Sequence, residues 1–159
     1  MKNDKRKLLE KLYDMTEKKE QELKLYSKDA QERANEAEGA MISRYDTFKE
    51  EGQYLAGGLK IRHEELWSSL AIIKTLMNDN NFKEHEIINI LSIINIEFED
   101  GTESKFFLLP VMGGEKIEDC TVITPNSPIA KSIIGKKEGD EFKYFVNNKI
   151  RKGEITFVI

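Results

Sequence analysis

The chain has 159 residues, 39% of them hydrophobic and 34% charged, and its 25 Lys+Arg against 29 Asp+Glu leave a formal net charge of −4. That length suits one ordinary domain or two small ones, and no apolar run approaches the roughly 20 residues of a membrane-spanning helix. The single cysteine, Cys120, excludes an internal disulfide, the two histidines, His63 and His85, lack zinc-ligand spacing, and a mildly acidic chain has no bulk electrostatic reason to bind nucleic acid.

The chain opens Met-Lys-Asn-Asp-Lys-Arg-Lys and passes directly into a charged amphipathic pattern with no apolar leader, which places the protein in the cytoplasm, without membrane association, as an expectation. From Lys2 to Met77 there is no proline, whereas Pro110, Pro125 and Pro128 all follow Asn81. The polar stretch Asn78-Asp79-Asn80-Asn81 competes for backbone hydrogen bonds and stops a helix. The sequence therefore divides into residues 1–78 and 79–159.

In the first part, Leu8, Leu12, Met15, Leu23, Tyr26, Ala30, Ala34 and Ala37 recur at mostly three and four residues, with a polar break around Lys19. A second stripe runs through Phe48, Leu55, Leu59, Leu66, Leu70, Ile73 and Met77, with Arg62 at one seam position. Glu38-Gly39-Ala40 lies between two stripes of nearly equal length, so each buries its apolar face by folding back on the other as an antiparallel coiled-coil hairpin. Arms of about 32 residues are about 48 Å long, and such a hairpin projects from the rest of the chain. Close helix approach accounts for Gly57 and Gly58 inside the second arm. Tyr45, Phe48 and Tyr54 read as core packing, His63 beside Glu64 and Glu65 as an exposed helix residue, and Trp67 lies one position beyond the stripe.

The second part reads as an α+β domain. Ile87 to Ile94 is rich in β-branched residues, Ile96-Glu97-Phe98-Glu99 alternates, Asp100-Gly101 signals a two-residue hairpin, and Phe106 to Leu109 begins the return. Ser127 suits an N-cap, Pro128 the first helical position and Gly135 the left-handed position past the end, giving one short helix whose Ile129, Ala130, Ile133 and Ile134 face a sheet. Strands around 142–146 and 154–158, joined through Asn147-Asn148, complete the domain, and Cys120 reads as a small buried hydrophobe.

A hairpin of this length followed by a domain with Asn126-Ser127-Pro128-Ile129-Ala130 and Ile134-Gly135-Lys136-Lys137-Glu138-Gly139-Asp140 resembles the GreA/GreB family of bacterial transcript-cleavage and elongation factors. The resemblance implies an FKBP-like fold for 79–159 and a monomer that binds bacterial RNA polymerase. The domain grips the rim of the secondary channel, with Asn126, Ser127, Pro128 and Ile129 as the docking loop. The hairpin enters the channel toward the nascent RNA. Acidic residues at its tip help hold a second catalytic magnesium, shared with the polymerase active site and not bound stably by the factor alone, so that the polymerase cleaves its own backtracked RNA.

The family's tip carries an Asp, two residues, then a Glu, in a stretch resembling Asp-Leu-Lys-Glu-Asn-Ala-Glu-Tyr; here the chain reads Gln31-Glu32-Arg33-Ala34-Asn35-Glu36-Ala37-Glu38-Gly39. Aligning Glu36-Ala37-Glu38 on Asn-Ala-Glu puts Glu32 at the Asp and Asn35 at the Glu, with one ligand lost. A turn centred on Gly39 instead brings Glu36 and Glu38 to the tip as the catalytic, magnesium-holding pair, with Asp46 about two turns away. Arg33, Arg44 and Lys49 flank the tip as RNA or channel contacts. Two activities fit: stimulation of transcript cleavage by an accessory factor that is no enzyme itself, or secondary-channel binding that inhibits or modulates transcription without cleavage. Prolyl isomerase activity, by likeness to FKBP, needs an aromatic-lined pocket, and Phe106, Phe107, Phe142, Tyr144 and Phe145 are accounted for as core and surface of alternating strands.

Overall fold

In the computed structural model the backbone is described for all residues except 1, 37–41, 79–81, 83 and 85, and side chains are described outside these and outside 2–3, 30–54 and 56. Two helices, α1 (Lys2–Glu36) and α2 (Ile42–Asn78), precede β1 (Ile93–Phe98), β2 (Glu103–Leu108), β3 (Lys116–Ile117), β4 (Cys120–Ile123), α3 (Pro128–Ile133), β5 (Glu141–Val146) and β6 (Lys149–Val158). These form two compact units, one of Met1–Leu12 with Leu76–Ile159 and one of Tyr13–Thr75. No helix among the described residues is long and apolar enough to cross a membrane.

The unit Tyr13–Thr75 is the helical hairpin. Its helices follow the expected periodicity, but one polar seam position of α2 falls one residue later than expected. Arg62 is exposed and pairs with Glu65 on its own helix at 3.2 Å, while the neighbouring His63 turns inward and reaches Glu20 of α1 at 2.8 Å. The seam thus steps through Leu59, His63, Leu66, Leu70 and Ile73, alternating four and three residues, with Leu66 and Ile73 buried. Both residues are polar, so composition alone did not choose between them. The polar break in α1 is a buried one, since Thr16 and Glu20 are both inside. Tyr26 and Leu55, expected on the stripes, are exposed. The close-approach account of Gly57 and Gly58 also fails, because a Cβ built at either meets nothing within 4 Å.

The other unit is built on a mixed six-stranded sheet in the order β3-β4-β2-β1-β6-β5. All pairs are antiparallel except β2 with β4. One face carries Ile94, Ile96, Phe98, Leu108 and Ile155, which pack with Ile88, Phe142 and the inward residues of α3 into the main core. The register places Ile93, Phe107 and Val122 on the opposite face, with Cys120 beside them, and these too are buried. Burial on both faces explains why β1 begins with two consecutive isoleucines rather than alternating. The first three turns of α1 belong to this unit: Leu8, Leu9 and Leu12 are buried, and Lys11 pairs with Glu118. Burial raises the Cys120 thiol to about 12, so it packs as the inert hydrophobe expected.

Three local expectations change. The run Ile87 to Ile94 is not one strand: Ile87 makes only an isolated bridge to Lys137, and a turn over Asn89–Ser92, with Leu91 at φ 71°, precedes β1. The Asp100-Gly101 hairpin is a three-residue loop, since Phe98 N donates to Thr102 O at 2.9 Å and Gly101 adopts φ 75°, which adds a bulge after the turn. Asp100 accepts from Thr102 N at 2.9 Å, and its hydrogen bonding to Thr102, then Arg151, holds its carboxyl below the usual range. The strands β3 and β4 were not anticipated at all. By contrast, Asn147 and Asn148 both take positive φ, as a two-residue hairpin turn requires.

Candidate functional site

The segment from Thr124 to Asp140 carries the sequence's most specific signals, and its geometry explains most of them. Ser127 has extended backbone (φ −66°, ψ 146°) and its hydroxyl accepts from Ala130 N at 3.3 Å, so it is the N-cap of α3, with Pro128 in the first turn where no amide hydrogen is needed. The helix ends where Gly135 takes φ 81° and its N–H donates to Ile88 O at 3.0 Å. Gly139 also needs the left-handed region, at φ 85°, and the Asp140 carboxylate accepts from Lys137 N at 2.9 Å to close the turn into β5. The stretch Ile134 to Asp140 is therefore a folded connector in which the glycines and the aspartate meet backbone demands.

The four residues of the docking loop divide by exposure. Asn126 and Pro128 are exposed and Ser127 is half-buried, whereas Ile129 is 8% exposed and packs in the main core with Ala130 and Ile133. Ile134 does not face the sheet; it is 41% exposed at the end of α3. The exposed residues of this segment include Asn126, Pro128, Lys131 and Ile134. Loop exposure on a capped, core-anchored helix presents polar and apolar groups rigidly to a partner.

The hairpin tip is mostly outside the described residues. Glu36 is the last residue of α1, Arg33 lies in its last turn, and Arg44 and Lys49 lie in the first turns of α2; their side chains, like those of Glu32, Asn35 and Asp46, are not described, and Glu38 falls outside altogether. Tyr45, Phe48 and Tyr54 are in the same position. Among the described residues no group of three or more His, Cys, Asp and Glu side chains gathers as a metal site.

Further down the hairpin is a polar cluster that sequence reading missed. Glu20, with a side chain 8% exposed, lies 2.7 Å from Lys24 and 2.8 Å from His63. The Lys24 ammonium beside it, opposed by burial and helped by His63, holds its carboxyl below the ordinary range. The exposed Trp67 stands apart from the seam. The aromatics of the second unit pack on one another, Phe98 edge-on to Phe142 at 6.0 Å and Phe142 stacked on Tyr144 at 6.3 Å, with Phe98 and Phe142 both buried.

Residues 83–159 match the family model described as "Transcription elongation factor, GreA/GreB, C-term". The chain belongs to the GreA/GreB family. GreA/GreB proteins are accessory transcription factors rather than enzymes, and the matched span takes in all six strands, α3 and its capped loop. Solved structures similar to this GreA/GreB-family chain include Gfh1 of Thermus aquaticus, at 14% identity over 92% of this chain and 92% of that one with a TM-score of 0.42. GreA factor homolog 1 (Gfh1) of Thermus thermophilus is 12% identical over 92% and 94%, with a TM-score of 0.40. A GreA/GreB elongation factor from Nitrosomonas europaea is 16% identical over 46% and 60%, with a TM-score of 0.38.

Proposed function

We propose that this GreA/GreB-family protein binds bacterial RNA polymerase through its C-terminal domain, directs its hairpin into the secondary channel, and modulates transcription without stimulating RNA cleavage. Family membership supports the partner. The exposed Asn126 and Pro128 on a rigid, capped helix start support the docking surface. One observation carries the choice of activity. In the register set by Glu36-Ala37-Glu38, Asn35 stands where the family tip has Glu, so one of the two carboxylates that would hold a second magnesium is an amide. Magnesium is held chiefly by carboxylate oxygens, and losing one of two weakens retention against water.

The test is addition of the purified protein to a stalled, backtracked elongation complex with magnesium present. Altered elongation or initiation with no short 3′ RNA fragments is the expected result. Release of such fragments overturns it and assigns magnesium to Glu36 and Glu38; in that case neutralising both as Gln abolishes release while polymerase affinity stays unchanged.

A further inference from the structure

In a chain of net charge −4, residues 142–152 contain Lys143, Lys149, Arg151 and Lys152 and no acidic residue. This stretch is the β5–β6 hairpin. Its register sets Lys143 directly opposite Lys152 and, two residues nearer the turn on the same face, Phe145 opposite Ile150. Phe145 is 62% and Ile150 64% exposed. Neither pairing helps the isolated protein: like charges directly opposite destabilise a strand pair, and the aromatic–aliphatic pair leaves its apolar faces in water. A polyanion carrying flat apolar groups beside its charges relieves both.

We propose that the β5–β6 hairpin is a platform for single-stranded RNA, with a backbone phosphate between Lys143 and Lys152 and a base stacked on Phe145. The two rows are about 7 Å apart along the strands, within the reach from a phosphate to a neighbouring base. The cations are not equally available. Lys152 lies 3.3 Å from Glu99, and Arg151 lies 3.3 Å from Asp100 and over the Phe98 ring at 3.8 Å, whereas Lys143 and Lys149 have no acidic partner among the described residues. Glu141 opposite Glu154 forms the next row on that face and repels a phosphate, which confines the footprint to the turn end. A duplex offers no free base face to Phe145, and an acidic peptide offers no base at all. The choice of RNA rests on the polymerase reading above; the platform chemistry does not.

The test needs no polymerase, so its outcome is separate from that of the proposed function. Fluorescence anisotropy follows a labelled oligouridine of about ten nucleotides, within the span of single-strand platforms, titrated with the full chain over a salt series. Saturable binding that weakens with salt is expected. Lys143→Gln should reduce the slope of log affinity against log salt by about 0.7, as for one phosphate contact on a single strand, whereas Lys149→Gln, opposite Val146 on the other face of the hairpin, should leave it unchanged. Phe145→Ala should weaken binding about tenfold with the slope unchanged. All three positions are exposed, and thermal melting verifies the fold of each variant. No binding at low salt, wild-type affinity for Phe145→Ala, or displacement of the RNA by polyglutamate at equal charge each overturns the proposal.

Discussion

Glu20 of α1 and His63 of α2 meet across the hairpin, Oε1 to Nε2 at 2.8 Å, on a carboxylate that is 8% exposed. Lys24, one turn along α1, approaches the same oxygen at 2.7 Å. A polar contact inside an apolar seam costs desolvation, but it penalises every other register, because a slip of one residue buries the carboxylate away from His63.

The pair makes hairpin stability depend on acid. The Glu20 carboxyl is depressed below 4.5 in the folded state, so its contribution is fully present above the unfolded value and is lost as pH falls through the folded one. Melting followed by far-UV circular dichroism should show the wild type losing more stability below that pH than Glu20→Gln does. Equal acid dependence of the two proteins would show that the contact contributes nothing.

Two kinds of glycine should respond oppositely to alanine. At Gly57 or Gly58 a Cβ meets nothing within 4 Å, so the change should stabilise the exposed helix by about 0.5–1 kcal/mol. At Gly153 it would stand 2.4 Å from the Glu97 carbonyl oxygen and 3.1 Å from Phe98 Cα. Backbone cannot retreat as a side chain can, and destabilisation by about 1–3 kcal/mol is expected. Urea midpoints of the variants compare these directly.

At the start of α3, folding and docking are separable by position. Ser127→Ala removes the cap and should cost about 1 kcal/mol. Ile129→Glu puts a charge into the main core and should cost about 3 kcal/mol or more, so loss of polymerase binding by that variant says nothing about docking. Asn126→Lys changes only exposed surface and should weaken co-purification with core polymerase while leaving the melting curve unchanged. Full retention by the folded Asn126 variant removes this loop from the docking surface.

Lys5 provides a test at the alkaline end. It is 1% exposed, and burial, partly opposed by the Glu84 charge, brings it from 10.5 down to about 8. Between these values the unfolded chain holds more protons than the folded one, so stability should rise with pH across that window. Urea unfolding midpoints between about pH 8 and 9, below the range in which the raised Cys120 thiol acts in the opposite sense, should show the rise in the wild type and its absence in Lys5→Met.

Much of this architecture was legible because each signal was local. The stripes gave the two helices, and Ser127, Pro128, Gly135 and Asn147-Asn148 gave the third helix and the last hairpin, since caps and tight turns depend on a few adjacent residues. The polar position of the α2 seam was not legible, because Arg62 and His63 are both polar and only the partner across the hairpin distinguishes them. Nor were β3 and β4: Lys116–Ile117 is two residues long, and Cys120–Ile123 is a strand by virtue of lying parallel to β2. Of the candidate site, the capped loop was legible, but the inward turn of Ile129 follows from the sheet beneath it, which no local pattern reports. Ile87 to Ile94 misled for the same reason: burial of Ile88, Leu91, Ile93 and Ile94 selects apolar residues in turn and strand alike.

The place of β6 in the sheet, between β1 and β5, has a consequence for synthesis. While the ribosome is still making residues 149–158, β1 offers a bare hydrogen-bonding edge and β5 has no strand to join. The helical hairpin, by contrast, closes on contacts complete once Thr75 has been made. The opening turns of α1 are made well before β6 yet share a unit with it, so their leucines wait on the order of ten seconds at common rates of synthesis. Nascent chains stalled before residue 149 should therefore engage chaperones, and those stalled with β6 outside the exit tunnel should not.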